Sequence, residues 1–224
     1  TSFGRISFDY KAKLFIKGAY QDVQHGHFTW KQLFSHEEQA RLILPGVYQD
    51  IQAEDPYAVF GSYFADVKDA DELNQLLYVD SKTFLLDDNL HKVDRMTMAA
   101  SIEARVPLLD HDLVDFVSYV SPQLKIKGLT TKWLLRRLMR DRLPKAVLSM
   151  KKKGFSPPIP IWLRGPLFPY LQDRILGSPV FDRYFSRAYV EVLLEEYREG
   201  KVDHNRRLWA IMAFLHWHER VLGI

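Results

Sequence analysis

The chain has 224 residues, with 31 lysines and arginines against 28 aspartates and glutamates, 47% hydrophobic residues and no cysteine. That length and apolar content suffice for one large domain or two small ones with a substantial core. The composition excludes a disulfide, a thiolate nucleophile or a cysteine metal site within these residues, and the net charge of +3 attracts anions only where it is locally concentrated.

No apolar run approaches the ~20 residues needed to span a bilayer, and the first residues lack the basic-then-apolar layout of a secretory signal, so a soluble cytoplasmic protein is expected. Helical periodicity dominates and no run alternates as strands do, which predicts a mainly α fold. A first helix is read from Tyr10 to Val23, ended at His25, Gly26 and His27. Ser35 with Glu38 three residues on has the form of a capping box and opens a second helix, closed by Pro45 and Gly46 and followed by a loop over residues 47 to 55. Helices are expected from Tyr57 to Val67 and from Ala70 to Phe84.

From Leu86 the apolar positions Leu90, Val93 and Ala100 recur at helical spacing, with Asp88 and Lys92 one turn apart and able to pair. Pro107 then drives Val106 out of the helical region, so that Glu103 and Arg105 fall where the helix has stopped and the chain turns away. Asp110 is placed to cap a helix from Asp112 to Val120, which Pro122 cannot continue. Thr130 or Thr131 opens a helix from Trp133 to Leu143, stopped by Pro144, and Ser149 to Pro160 reads as an exposed irregular loop. Further helices are expected from Pro166 to Leu176, from Arg187 to Glu199 and from His204 to Leu222, the last apolar almost all round and therefore buried.

Lys92 to Ala99, then Glu103, Arg105, Pro107, Leu109 and Asp110, resemble the signature of the synthetase domain of glutamine-dependent asparagine synthetase, a K-V-D-R-(S/T)-M-A run leading into E-x-R-x-P and a closing L-D. Lys152, Lys153, Gly154 and Phe155, followed by Pro158 and by Trp162 to Gly165, resemble the K-x-G-F and W-L-R-G segments of that family. Lys132 to Arg136 resemble its K-W-L-L-R helix, and Phe8 to Gly18 its stretch just after the ATP site. The resemblance covers nearly the whole chain in the right order. It implies the helical C-terminal portion of an adenine-nucleotide α-hydrolase-like α/β synthetase domain, without its parallel sheet core.

The family's glycine-rich ATP turn and its second acidic glycine motif do not occur here, nor does G-x-x-x-x-G-K-(S/T) or G-x-G-x-x-G. A single fragment over residues 1 to 224 is therefore expected, inactive alone and binding no cofactor or metal itself. By resemblance the intact enzyme uses ATP and Mg²⁺ to adenylate aspartate. It then amidates the adenylate with ammonia from an N-terminal glutaminase domain, and a homodimer is allowed.

The resemblance makes Glu103 and Lys152 the catalytic candidates. A carboxylate beside an acyl-adenylate can take a proton from attacking ammonia, and a lysine on a glycine-bearing loop can close over a nucleotide and neutralise phosphate charge. Arg105 and Lys153 are the substrate-binding candidates beside them, although the residues alone read Arg105 and Asp94 as holding the turn, and Lys151 and Lys153 as surface lysines. The rival readings are an amidotransferase acting on another acceptor, and a helical interaction or nucleic-acid module built on the basic tract from Lys132 to Lys153. No nucleic acid or membrane partner is expected. His25 with His27, and His216 with His218, are two apart and point to different helix faces, so they read as structural, and the five tryptophans read as core.

Overall fold

A computed structural model describes residues 18–150 and 158–223, together with residues 12, 15 and 16. The fold is mainly α, as expected, and divides into two compact units: the described parts of residues 1–56 with 155–224, and of residues 57–154.

The first unit holds the hydrophobic core. Helices Phe168–Leu176, Arg187–Arg198 and Asn205–Val221 bring together Leu171, Ile175, Val190, Leu193, Leu208 and Leu215, all nearly or fully shielded from water. Phe181 and Phe185 join them from the short helix Phe181–Tyr184 and its exit. Leu42 is stitched to this core by backbone bonds: the Ser186 amide donates to the Leu42 carbonyl at 2.7 Å and the Leu44 amide to Tyr184 at 2.9 Å. Burying these faces supplies the unit's main stabilisation, about 1.5–3 kcal/mol for each large aliphatic side chain.

Several expected boundaries are corrected here. Residues 12, 15, 16, 18 and 19 are helical, and the remainder of the expected helix up to Lys17 lies outside the described residues. His25 to His27 do not end a helix but lie inside Val23–Lys31, because the Asp22 carboxylate caps it by accepting the Gln24 and His25 amides at 3.0 Å each. Pro45 starts a helix, Pro45–Ile51, where a loop was expected; its missing N–H is no loss at a first-turn position. Helix Asn205–Val221 is buried along one stripe only, since Trp209, Trp217 and Val221 are exposed. Trp30 and Trp162 are exposed too, so the tryptophans are not core. The capping box of Ser35 and Glu38 is present as expected, on helix His36–Leu42.

The second unit is thinly packed. Among its described residues only Phe64 and Val79 are buried hydrophobics, while Met96, Leu108, Phe116 and Tyr119 are largely exposed. Its axis is a continuous helical rod, Glu72–Asp80, Ser81–Leu90 and His91–Met98, in which the middle ten residues are wound as a π-helix. The hydroxyls of Ser81 and Thr83 donate to the carbonyls of Tyr78 and Val79 at 2.6 and 2.7 Å, competing with the amides at the point where the winding widens. Thr130 and Thr131 do not open a helix. They pair with Ile126 and Lys127 in an antiparallel hairpin of two residues per strand, and the helix that follows is Trp133–Leu138. Pro144 does not stop that helix, which ends at Leu138, but precedes another, Lys145–Ser149.

Candidate functional site

The signature strip begins where helix His91–Met98 stops. On the rod, Lys92 Nζ pairs with Asp88 Oδ1 at 2.9 Å, the expected turn-apart contact. Beside it Leu86, Asp87, Leu90, His91 and Asp94 line an open hollow of about 610 Å³. The helix closes through two backbone bonds: the Ile102 amide donates to the Thr97 carbonyl at 3.0 Å and the Ser101 amide to Met98 at 2.9 Å. This crossed pair is a Schellman closure, and it puts Ser101 at a left-handed φ of 57°.

Beyond the closure residues 102 to 106 are neither helix nor strand. Here Arg105 Nη2 meets Glu103 Oε1 at 2.6 Å with the two side chains 80% and 67% exposed. Arg105 therefore pairs with the candidate acid itself. Glu103 keeps its second oxygen, Oε2, free of any partner among the described residues. Val106 leaves the strip with φ −121° and ψ 81°, as a residue before proline must, and Pro107–Leu109 form one 3₁₀ turn. Asp110 then caps helix His111–Ser118, accepting the Asp112 amide at 3.1 Å and that of Leu113 at 3.4 Å.

The K-W-L-L-R block sits on helix Trp133–Leu138, with Lys132 as its N-cap residue at a left-handed φ of 56°. Arg136 is occupied structurally: its Nε donates to the Thr131 carbonyl at 3.2 Å and its Nη1 to the Leu148 carbonyl at 2.5 Å. The Trp133 ring carries Lys127 at 5.0 Å and Arg137 at 5.3 Å, so three cations of this region serve local packing. Lys125 bonds to Asn74, and burial lowers its pKa against the opposing pull of Asp71.

Lys152 and Lys153, with the rest of the K-x-G-F block, lie outside the described residues. The W-L-R-G block belongs to the first unit, where helix Ile159–Arg164 ends at Gly165 and buries Leu163 in the core. His27 and His218 are buried, and His218 Nε2 bonds to the Tyr184 hydroxyl at 2.9 Å, which fits the structural reading of the histidines. Sequence reasoning missed the left-handed backbone at Ser101 and Lys132. Glycine is the usual signal for such positions and neither carries it.

A family model described as asparagine synthase matches residues 10–219. The chain belongs to the asparagine synthase family. Among similar proteins, the glutamine-hydrolyzing asparagine synthetase 1 of Bacillus subtilis (strain 168) is 38% identical over 157 residues, covering 70% of this chain and 25% of that protein. A putative glutamine-hydrolyzing asparagine synthetase of Mycobacterium tuberculosis (strain ATCC 25618 / H37Rv) is 37% identical over 156 residues, 69% of this chain and 24% of that protein. An amidase of Penicillium rubens, chyE, is 30% identical over 102 residues, 42% of this chain and 15% of that protein. The matched segment thus spans about a quarter of the synthetases' length. No solved structure matches the chain.

Among the described residues no group of three or more His, Cys, Asp or Glu side chains could hold a metal ion. What the strip offers an asparagine synthase is an exposed carboxylate with one open oxygen, held on a short non-helical segment between two helix ends.

Proposed function

We propose that these residues form the helical wall of the synthetase site in an ATP-dependent enzyme that converts aspartate into asparagine with ammonia released from glutamine. In this reaction a carboxylate oxygen of aspartate attacks the α-phosphorus of ATP, and the bond to pyrophosphate breaks. Ammonia then attacks the acyl carbon, an N–H proton passes to Glu103, and the acyl–oxygen bond to AMP breaks. Lys152 supplies positive charge to the phosphate as it transfers, and Arg105 and Lys153 contact substrate. The glutamine-hydrolysing thiol comes from residues other than these, since the 224 residues contain no cysteine.

The observation that carries the reading is the open Oε2 of Glu103 on an exposed strip of an asparagine synthase family chain. No described helix is long and apolar enough to cross a membrane, and the cytoplasm, where ATP is supplied, is the proposed compartment.

The test is product analysis of the full-length gene product with ATP, aspartate and glutamine. Asparagine, AMP and pyrophosphate in equal amounts is the expected result. Absence of aspartate-dependent pyrophosphate release would overturn the reading. A second reading, amidation of another carboxylate by the same chemistry, draws on the match to a protein named an amidase. Pyrophosphate release with that carboxylate in place of aspartate would establish it.

A further inference from the structure

We infer that Ser101 is a positioning residue for Glu103: its left-handed backbone is what takes the segment carrying Glu103 out of the helix. The inference rests on the assignment of Glu103 as the base and deepens it. Among the described residues the only non-glycine residues at positive φ are Ser101 and Lys132. Ser101 lies two residues before Glu103, at the point where helix His91–Met98 would otherwise run on.

Three observations show how the device works. The bonds from Ile102 to Thr97 and from Ser101 to Met98 form only when the residue at the Ser101 position is left-handed, because that sign of φ folds the chain back over the last turn. Thr97, whose carbonyl accepts the closing bond, is tied back to its own helix, its hydroxyl donating to the Val93 carbonyl at 2.8 Å. The far end of the strip is fixed independently by Pro107 and by the Asp110 cap. Five residues, Ile102 to Val106, therefore hang between two anchors, and Ser101 sets their direction.

The ion pair of Glu103 and Arg105 reports the result. Residues two apart do not face each other on a helix, and they do on an extended chain. Were Ser101 right-handed, the helix would continue towards Glu103, and the 2.6 Å contact with Arg105 would be lost. The Glu103 carboxylate would then point to a helix flank.

The experiment compares Ser101→Gly, Ser101→Val and Glu103→Gln in the full-length gene product, reading ATP–pyrophosphate exchange and amide formation separately. Glycine adopts positive φ freely, whereas a β-branched residue is a strong outlier there. The expected result is that Ser101→Val cuts amide-formation kcat by roughly 10²-fold, the scale of a misplaced catalytic group. Exchange and the KM for ATP stay within about twofold, and Ser101→Gly retains wild-type amide formation, a rescue that loss of a serine contact would not give.

If Ser101→Val does not fold, Ser101→Ala is read in its place, with the same ordering at smaller amplitude. Wild-type amide formation in the non-glycine variant alongside an impaired Glu103→Gln would overturn this inference and leave the base assignment standing. An unimpaired Glu103→Gln would remove the base assignment and this inference together.

Discussion

Glu38 and Arg207 lie 169 residues apart in sequence and are joined side chain to side chain in the first unit. Glu38 uses its other oxygen, Oε2, to accept the Ser35 amide at 2.8 Å, so one carboxylate closes the capping box of helix His36–Leu42 and anchors helix Asn205–Val221. Arg207 adds a bond from Nε to the Leu33 carbonyl at 2.9 Å and lies over the Phe34 ring at 5.5 Å. Both side chains are only 27% exposed. Removing one partner leaves the other charge half-buried and unpaired, so Arg207→Ala is expected to cost about 2 kcal/mol. Urea unfolding at pH 7 measures it, with Arg206→Ala as the control expected to be near neutral.

Acid should weaken the same unit. Burial alone would raise the Glu38 carboxyl, but the Ser35 amide and the Arg207 guanidinium outweigh it and the pKa is lowered from 4.5. The Ser178 hydroxyl, 2.6 Å away, and then Arg174 lower that of Glu219 against its burial, and the His25 amide lowers that of Asp22. A carboxylate with a lowered folded pKa contributes stability that is present above its unfolded value and lost as the pH falls through the folded one. Stability is therefore expected to hold from neutrality down to about pH 4.5 and to decline below it, with a smaller decline in Glu38→Gln. Urea midpoints between pH 7 and pH 3 follow this.

At the alkaline end the reporting group is Tyr197. Its ring is buried, its hydroxyl donates to the Pro160 carbonyl at 2.9 Å, and burial followed by the Asp203 charge pushes its pKa up to about 12. A neutral form favoured in the fold contributes stability below the unfolded value of 10, which is lost as the pH rises towards 12. Absorbance titration at 295 nm should show a tyrosine ionising at about pH 12 that is absent in Tyr197→Phe. That variant should lose about 1 kcal/mol at pH 7, the ordinary net worth of one hydrogen bond.

The second unit offers a cap rather than a core to test. Asp110→Ala frees the amides of Asp112 and Leu113 at the start of helix His111–Ser118. A loss of about 1 kcal/mol is expected, with Asp110→Asn close to wild type, read from amide exchange within the helix.

Local rules that act over one turn were readable from the sequence. Ser35 with Glu38, the Asp88 and Lys92 pair, the proline effect on Val106 and the Asp110 cap all stand as expected. Two of the failures have a shared cause, that one residue type serves two ends of an element. Proline stops helices and also starts them, which reversed the reading of Pro45 and Pro144. His25, Gly26 and His27 looked like a terminus until Asp22 supplied a stronger start signal just upstream.

The π winding over Ser81–Leu90 and the hairpin at Ile126–Lys127 left no periodic trace, one because it is a change of pitch inside a helix and the other because two residues cannot alternate visibly. At the candidate site, Glu103 and Arg105 were singled out through the family motif, and the structure pairs the two side chains with each other. The left-handed Ser101 was not readable, because serine at that place has no propensity that announces it.

The measurement that bears most directly on the proposed chemistry is amide formation by Glu103→Gln in the full-length gene product, compared with ATP–pyrophosphate exchange by the same preparation. A glutamine keeps the size of the side chain and removes its capacity to take a proton. Amide formation reduced by about 10²–10⁴-fold, with exchange largely preserved, is the predicted result. Amide formation at the wild-type rate would contradict it.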